Sequence, residues 1–158
     1  MSTIPVPPLY VRLIRPAKAS LMHRAIALGV AVLALGVLVV AAELTASPTG
    51  MGTHEALGLR ACAFVDRAGL PCPSCGMTTS FAHFADGNWP VSVYTQPMGF
   101  ALAVLAGIAV WAGGYAAISG RPVWRVMRAV SGMVVVISLL TLAVAGWAWK
   151  IWLVVREG

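Results

Sequence analysis

Polar and apolar positions in this chain separate into long blocks rather than alternating at the period of a helix face or a strand. From Ala25 to Ala42 no residue is charged, and Leu21 and Met22 extend the run past His23 and Arg24. A second uncharged run covers Met98 to Ser119 and closes at Arg121, and a third covers Ala129 to Trp149 and closes at Lys150. A helix rising about 1.5 Å per residue needs roughly 20 apolar residues to cross a bilayer. All three runs pass. The pattern predicts an all-α membrane protein with three transmembrane helices over about 21–42, 98–119 and 129–149. A barrel would instead show segments of about ten residues with alternating polarity, and the polar gaps lack them.

The segment 43–97 between the first two runs is polar and punctuated by turn formers. Ala46 to His54 reads as loop, Glu55 to Leu59 as one helical turn, and Cys62 to Val65 as a short apolar patch at the membrane surface. Met77 to Ala85 contains no breaker until Asp86-Gly87 and reads as a short helix stopped by glycine. Phe81 and Phe84 share one face of it, and Thr78 and Thr79 are expected to cap its first turn. Asn88, Trp89 and Pro90 are expected to cap and start another short helix. Gln96-Pro97 leads into the second run.

Composition strengthens the membrane reading. The chain is 59% hydrophobic and 10% charged, against about a quarter charged in soluble domains. A single membrane domain over 21–158 follows a basic tail over 1–20. The rival for the first run is a cleaved secretory signal, but signal cores are shorter, roughly 7 to 15 residues, so the span is expected to be retained. Arg12, Arg15, Lys18 and Arg24 precede the first span, and Arg121, Arg125 and Arg128 lie between the second and third. The positive-inside preference puts both groups in the cytoplasm. The N-terminus is then cytoplasmic, and segment 43–97 is extracytoplasmic in a multi-pass protein of the bacterial inner membrane.

The net charge of +6 is accounted for by those groups, which act as topology signals and contacts to the lipid bilayer rather than a nucleic-acid surface. Trp124, Trp147, Trp149 and Trp152 read as interfacial anchors. Small residues at Gly29 and Gly36, Ala103 and Gly107, and Gly113-Gly114 are spaced for close helix contact. They point to other membrane subunits or a homo-oligomer as partners.

The candidate chemistry lies in Cys72-Pro73-Ser74-Cys75-Gly76, with Cys62 upstream. At the mouth of a short helix, Cys72 and Cys75 would sit near unpaired N–H groups that favour thiolates. Three uses remain open. The sulfurs could brace a turn in a non-enzymatic membrane or assembly module, the preferred reading. They could instead join His54 in a Cys3His site for zinc or iron, since a Cys-Pro-x-Cys-Gly turn aims two sulfurs at one ion. Finally, they could serve a thiol-disulfide relay, with Cys62 as the third thiol. His83, on the short helix, reads as a surface residue. No βαβ pattern points to a thioredoxin fold, and Gly76 stands where covalent haem attachment requires histidine. No acidic or basic residue lies inside the uncharged runs to serve a proton relay, and no phosphate loop or hydrolase turn is present.

The run Cys72-Pro73-Ser74-Cys75-Gly76-Met77-Thr78 resembles the signature of a family of small bacterial membrane proteins, the domain of unknown function 2752. The resemblance covers roughly Thr49 to Gly107. It includes Cys62 as an upstream cysteine, and Gly87 and Gln96-Pro97 as later motif positions. Pro73, Gly76, Thr78, Gly87 and Pro97 are therefore the family-motif residues, and Thr79 stands where the family often has arginine. The resemblance implies membership and a membrane setting, and implies no activity.

Overall fold

The computed structural model describes residues 19–121 and 132–157. Arg12, Arg15 and Lys18, and likewise Trp124, Arg125, Arg128 and the predicted start of the third span, lie outside the described residues. The elements in chain order are α1 (Leu21–Glu43), a 3-10 turn (Thr53–Leu57), α2 (Ala63–Ala68), α3 (Met77–Ala85), α4 (Trp89–Thr95), α5 (Pro97–Ser119) and α6 (Gly132–Glu157). No strand occurs among the described residues. Three helices, Leu21–Glu43, Pro97–Ser119 and Gly132–Arg156, are long and apolar enough to cross a membrane. The predicted fold class is borne out, with the cysteines between the first two spans.

α1 and α5 form an antiparallel pair, packed most closely of any two elements. The close approach depends on Gly113, where a Cβ would lie 2.6 Å from the Ala27 carbonyl oxygen and 3.0 Å from Ala31 Cβ. Ala103 is fully buried and Ala31 nearly so. The other spaced glycines behave differently. A Cβ added at Gly29, Gly36, Gly107 or Gly114 would have nothing within 4 Å, so their spacing marks no close backbone approach among the described residues. At the far end of the pair, Arg24 Nε donates to the Ala117 carbonyl at 2.8 Å. Gly120, in the left-handed region, closes α5. A cation on the last carbonyls of a helix satisfies acceptors that have no intrahelical donor. Arg24 therefore has a structural task beyond its charge.

α3 lies in the cleft at the other end, against both α1 and α5. Phe81 faces the α1 side, beside Val37 and Val40. Phe84 turns toward α5 and packs edge-on to Phe100 at 5.8 Å and stacked near Trp89 at 6.2 Å. The two rings thus straddle the helix and fix it between the spans. Its boundaries are as predicted. The start, however, is made by Gly76 at φ +87° with no side-chain cap, and Thr79 turns inward. Likewise Asn88 supplies no side-chain cap to α4, which begins on Pro90 in its first turn.

α6 stands apart. It leans only sparsely on α5, and it runs on through Lys150 to Glu157 rather than stopping near Trp149.

Candidate functional site: a three-thiol knuckle

Backbone geometry around the cysteine motif follows from its prolines. Pro71 and Pro73 have no N–H and fix φ, so the chain turns twice within six residues. The Cys75 N–H donates to the Cys72 carbonyl at 3.0 Å, and the Met77 N–H to that of Ser74 at 3.1 Å. Gly76 then adopts its positive φ, which side chains rarely take. A Cβ there would also lie 2.8 Å from the Gly50 carbonyl oxygen. Gly76 is needed on both counts.

These turns bring the sulfurs together. Cys72 Sγ and Cys75 Sγ are 3.1 Å apart, and the Cys72 N–H donates to Cys75 Sγ at 3.3 Å. Cys62, at the start of α2, joins them, so that all three sulfurs lie within 4.8 Å of one another. The cysteines are free thiols. Ser74 Oγ adds a polar contact to Cys72 Sγ at 3.2 Å. His54 is not drawn into this group; its Nε2 meets the Arg60 carbonyl at 3.2 Å. His83 lies in the last turn of α3.

The thiols are unequal. Although its side chain closes no capping hydrogen bond in α2, Cys62 has the backbone amide of Val65 beside it. That amide draws the thiol down to about 7 against the opposing effect of its own desolvation. Cys75 is buried, and desolvation, reinforced by the Cys72 thiol, pushes it up to about 12. The expected shared acidity of Cys72 and Cys75 is thus corrected at Cys75. The thiol that is drawn down is that of Cys62.

A buried polar layer carries the knuckle. Thr79 Oγ1 meets Thr53 Oγ1 at 2.9 Å, tying α3 to the 3-10 turn at the position where the resembled family often has arginine. Ser80 and Ser92, both fully buried, exchange hydroxyl and carbonyl bonds at 2.7 to 2.9 Å. Gln96, also fully buried, donates from Nε2 to the Pro73 carbonyl at 3.0 Å. Gly99 admits Ser80, where a Cβ would lie 2.8 Å from Ser80 Cβ.

Residues 62–110 match the DUF2752 family model. That model is described as a protein of unknown function. In this chain it begins at Cys62 and ends within α5, so the DUF2752 region contains all three cysteines, α2 to α4 and the polar layer apart from Thr53. Gly76, Thr78, Gly87 and Pro97 fall inside it. No curated protein and no solved structure matches the chain.

Sequence reasoning missed Gln96, Ser80, Ser92 and Lys150 as parts of this assembly. Lys150 carried a readable signal: a single cation followed by Ile151-Trp152-Leu153-Val154-Val155, in an apolar stretch where an ionisable residue is rarely idle.

Proposed function

We propose that the protein is a non-enzymatic integral-membrane module whose cysteine knuckle binds one zinc ion through Cys62, Cys72 and Cys75. The convergence of a third sulfur on the Cys-Pro-Ser-Cys turn carries this reading. Two cysteines suffice for a disulfide brace, whereas three sulfurs at one point suit a thiophilic cation. With Zn–S about 2.3 Å, tetrahedral thiolates stand about 3.8 Å apart, between the 3.1 Å of Cys72 and Cys75 and the 4.8 Å bound on the set. Iron in an all-thiolate site takes four cysteines, and the chain has three, so zinc is preferred. His54 is engaged with Arg60, and the fourth position is assigned to solvent.

The positive-inside pattern supports an orientation with the knuckle extracytoplasmic and the Arg24 end cytoplasmic, and the family resemblance supports a bacterial inner membrane as the setting. A membrane-impermeant maleimide applied to reduced spheroplasts should therefore reach Cys62 without lysis.

Metal analysis of the detergent-purified full-length protein tests the main reading. The expected result is about one zinc per chain in the wild type and in His54→Ala, with near-complete loss in Cys62→Ser and Cys72→Ser. Wild-type protein without metal after zinc loading would end it. The short contact between Cys72 and Cys75 favours thiol-disulfide exchange as the second reading. In that case a Cys72–Cys75 disulfide formed with an added two-electron oxidant would be attacked by the Cys62 thiolate, which would bond to one sulfur and release the other as a thiolate, and mild reductant would return all three to thiols.

A further inference from the structure

The knuckle does not close on itself. Along residues 71–76 the carbonyls alternate in use. Those of Cys72 and Ser74 accept from the N–H groups of Cys75 and Met77, three residues on, and close the two turns. Those of Pro71 and Pro73 point out of the turns and are held by side chains from elsewhere. Trp147 Nε1 donates to the Pro71 carbonyl at 2.9 Å, and Gln96 Nε2 to that of Pro73. On the other flank, Lys150 Nζ donates to the Gly50 carbonyl at 3.0 Å. That carbonyl is the one seated against Gly76, and Lys150 is 4% exposed.

We infer that Trp147 and Lys150 of α6 are positioning residues for the three-thiol site: the third span clamps the backbone on both sides of Cys72 and Cys75, and this clamp sets their metal affinity. The inference rests on the zinc reading above. Three observations carry it. First, α6 has sparse helix-to-helix contact, so these side-chain bonds are a large part of what docks it. Second, the Trp147 bond reaches Pro71, next to Cys72, and the Lys150 bond reaches Gly50, whose carbonyl packs with Lys150 Nζ itself against Gly76, next to Cys75, across sequence separations of 76 and 100. Third, Gly146 lies in the same turn with its Cα against Gln96 Oε1, 2.9 Å from where a Cβ would be. The helix is thereby registered against the residue that holds Pro73.

Partners that orient metal ligands without touching the ion typically change affinity by about 10- to 100-fold when lost. The effect of a single hydrogen bond to a backbone carbonyl beside the ligands, rather than to the ligands themselves, falls at the low end.

Cobalt(II) and zinc titrations of reduced full-length protein in detergent provide the test. Trp147→Phe, which removes the N–H while keeping most of the ring, and Lys150→Met should each weaken binding about tenfold and shift the cobalt ligand-field bands. Trp149→Phe is the control. It removes the same kind of bond two residues away, from Trp149 Nε1 to the Tyr94 carbonyl at 2.8 Å, outside the knuckle, and should stay within about twofold. If Lys150→Met fails to fold by circular dichroism, Trp147→Phe decides.

Wild-type affinity and an unchanged cobalt spectrum in Trp147→Phe would overturn the clamp while leaving the zinc site standing. Should wild-type protein bind neither metal, the zinc reading falls by itself and alkylation of Cys75 judges the clamp. Faster Cys75 modification in Trp147→Phe than in Trp149→Phe supports it, and equal rates overturn it.

Discussion

The α1–α5 pair and α6 are apolar helices of similar membrane-spanning length, yet they are held by different means. α1 and α5 meet along a dry seam of small residues, with Gly113 on the Ala27 carbonyl and Ala103 fully buried. α6 meets the rest of the protein through two indole groups and an ammonium group that reach the segment between the first two spans. In lipid there is little hydrophobic gain from bringing helices together, so association relies on close packing and polar bonds. This protein uses one for the pair and the other for the third span. Dispersion along the seam is spread over many atoms, whereas α6 depends on a few donors near one end.

Overpacking the seam should have the largest effect. Gly113→Leu must displace the Ala27 carbonyl and Ala31, and should destabilise the protein by about 1–3 kcal/mol in denaturant unfolding followed by circular dichroism. Its neighbour Gly114 has open space around it, so Gly114→Leu should stay within about 0.5 kcal/mol. Equal costs at the two positions would show that the seam does not hold the pair.

A smaller effect is expected from the α3 seat. Ser80→Ala removes a hydroxyl that donates to the Ser92 and Gln96 carbonyls at 2.9 and 3.1 Å, at a cost of about 1–2 kcal/mol. Gly146→Ala should be milder, about 1 kcal/mol, because the far end of Gln96 can shift. Its signature should be selective: increased acrylamide quenching of Trp147 with the α1–α5 unfolding midpoint unchanged.

The least change should appear at Cys62, whose acidity has a local origin in α2. Its thiolate fraction rises as pH increases through about 7. Iodoacetamide modification of metal-free protein should therefore climb between about pH 6 and pH 8 and level off, in wild type and Gly146→Ala alike. Cys75, held up to about 12 by burial, should remain slow throughout that range. A midpoint for Cys62 that moves with Gly146→Ala would tie it to α6 after all.

The same contrast explains what could be read from the residues alone. The spans were legible because each is a continuous apolar block, and α3 because Gly76 and Asp86-Gly87 bracket an unbroken stretch. The three cysteines were legible as a group because they are the chain's only thiols. The polar fastenings were not, since Trp147 and Pro71 are 76 residues apart and no local pattern records such a pairing. Thr78 and Thr79 sat where caps usually occur, but glycine took the start of α3 and Thr79 was claimed by Thr53. Small-residue spacing nominated several glycines without saying which side of a helix would be covered, and Gly113 was covered.

Pro71 and Pro73 also impose an order on how the protein is made. By lacking N–H groups they leave the knuckle rich in acceptors and short of donors, and bare carbonyls are costly wherever water is scarce. One of the donors that relieve this, Trp147, is synthesised more than 70 residues after Cys75. The bond on the Pro71 carbonyl can therefore form only after α6 has been made.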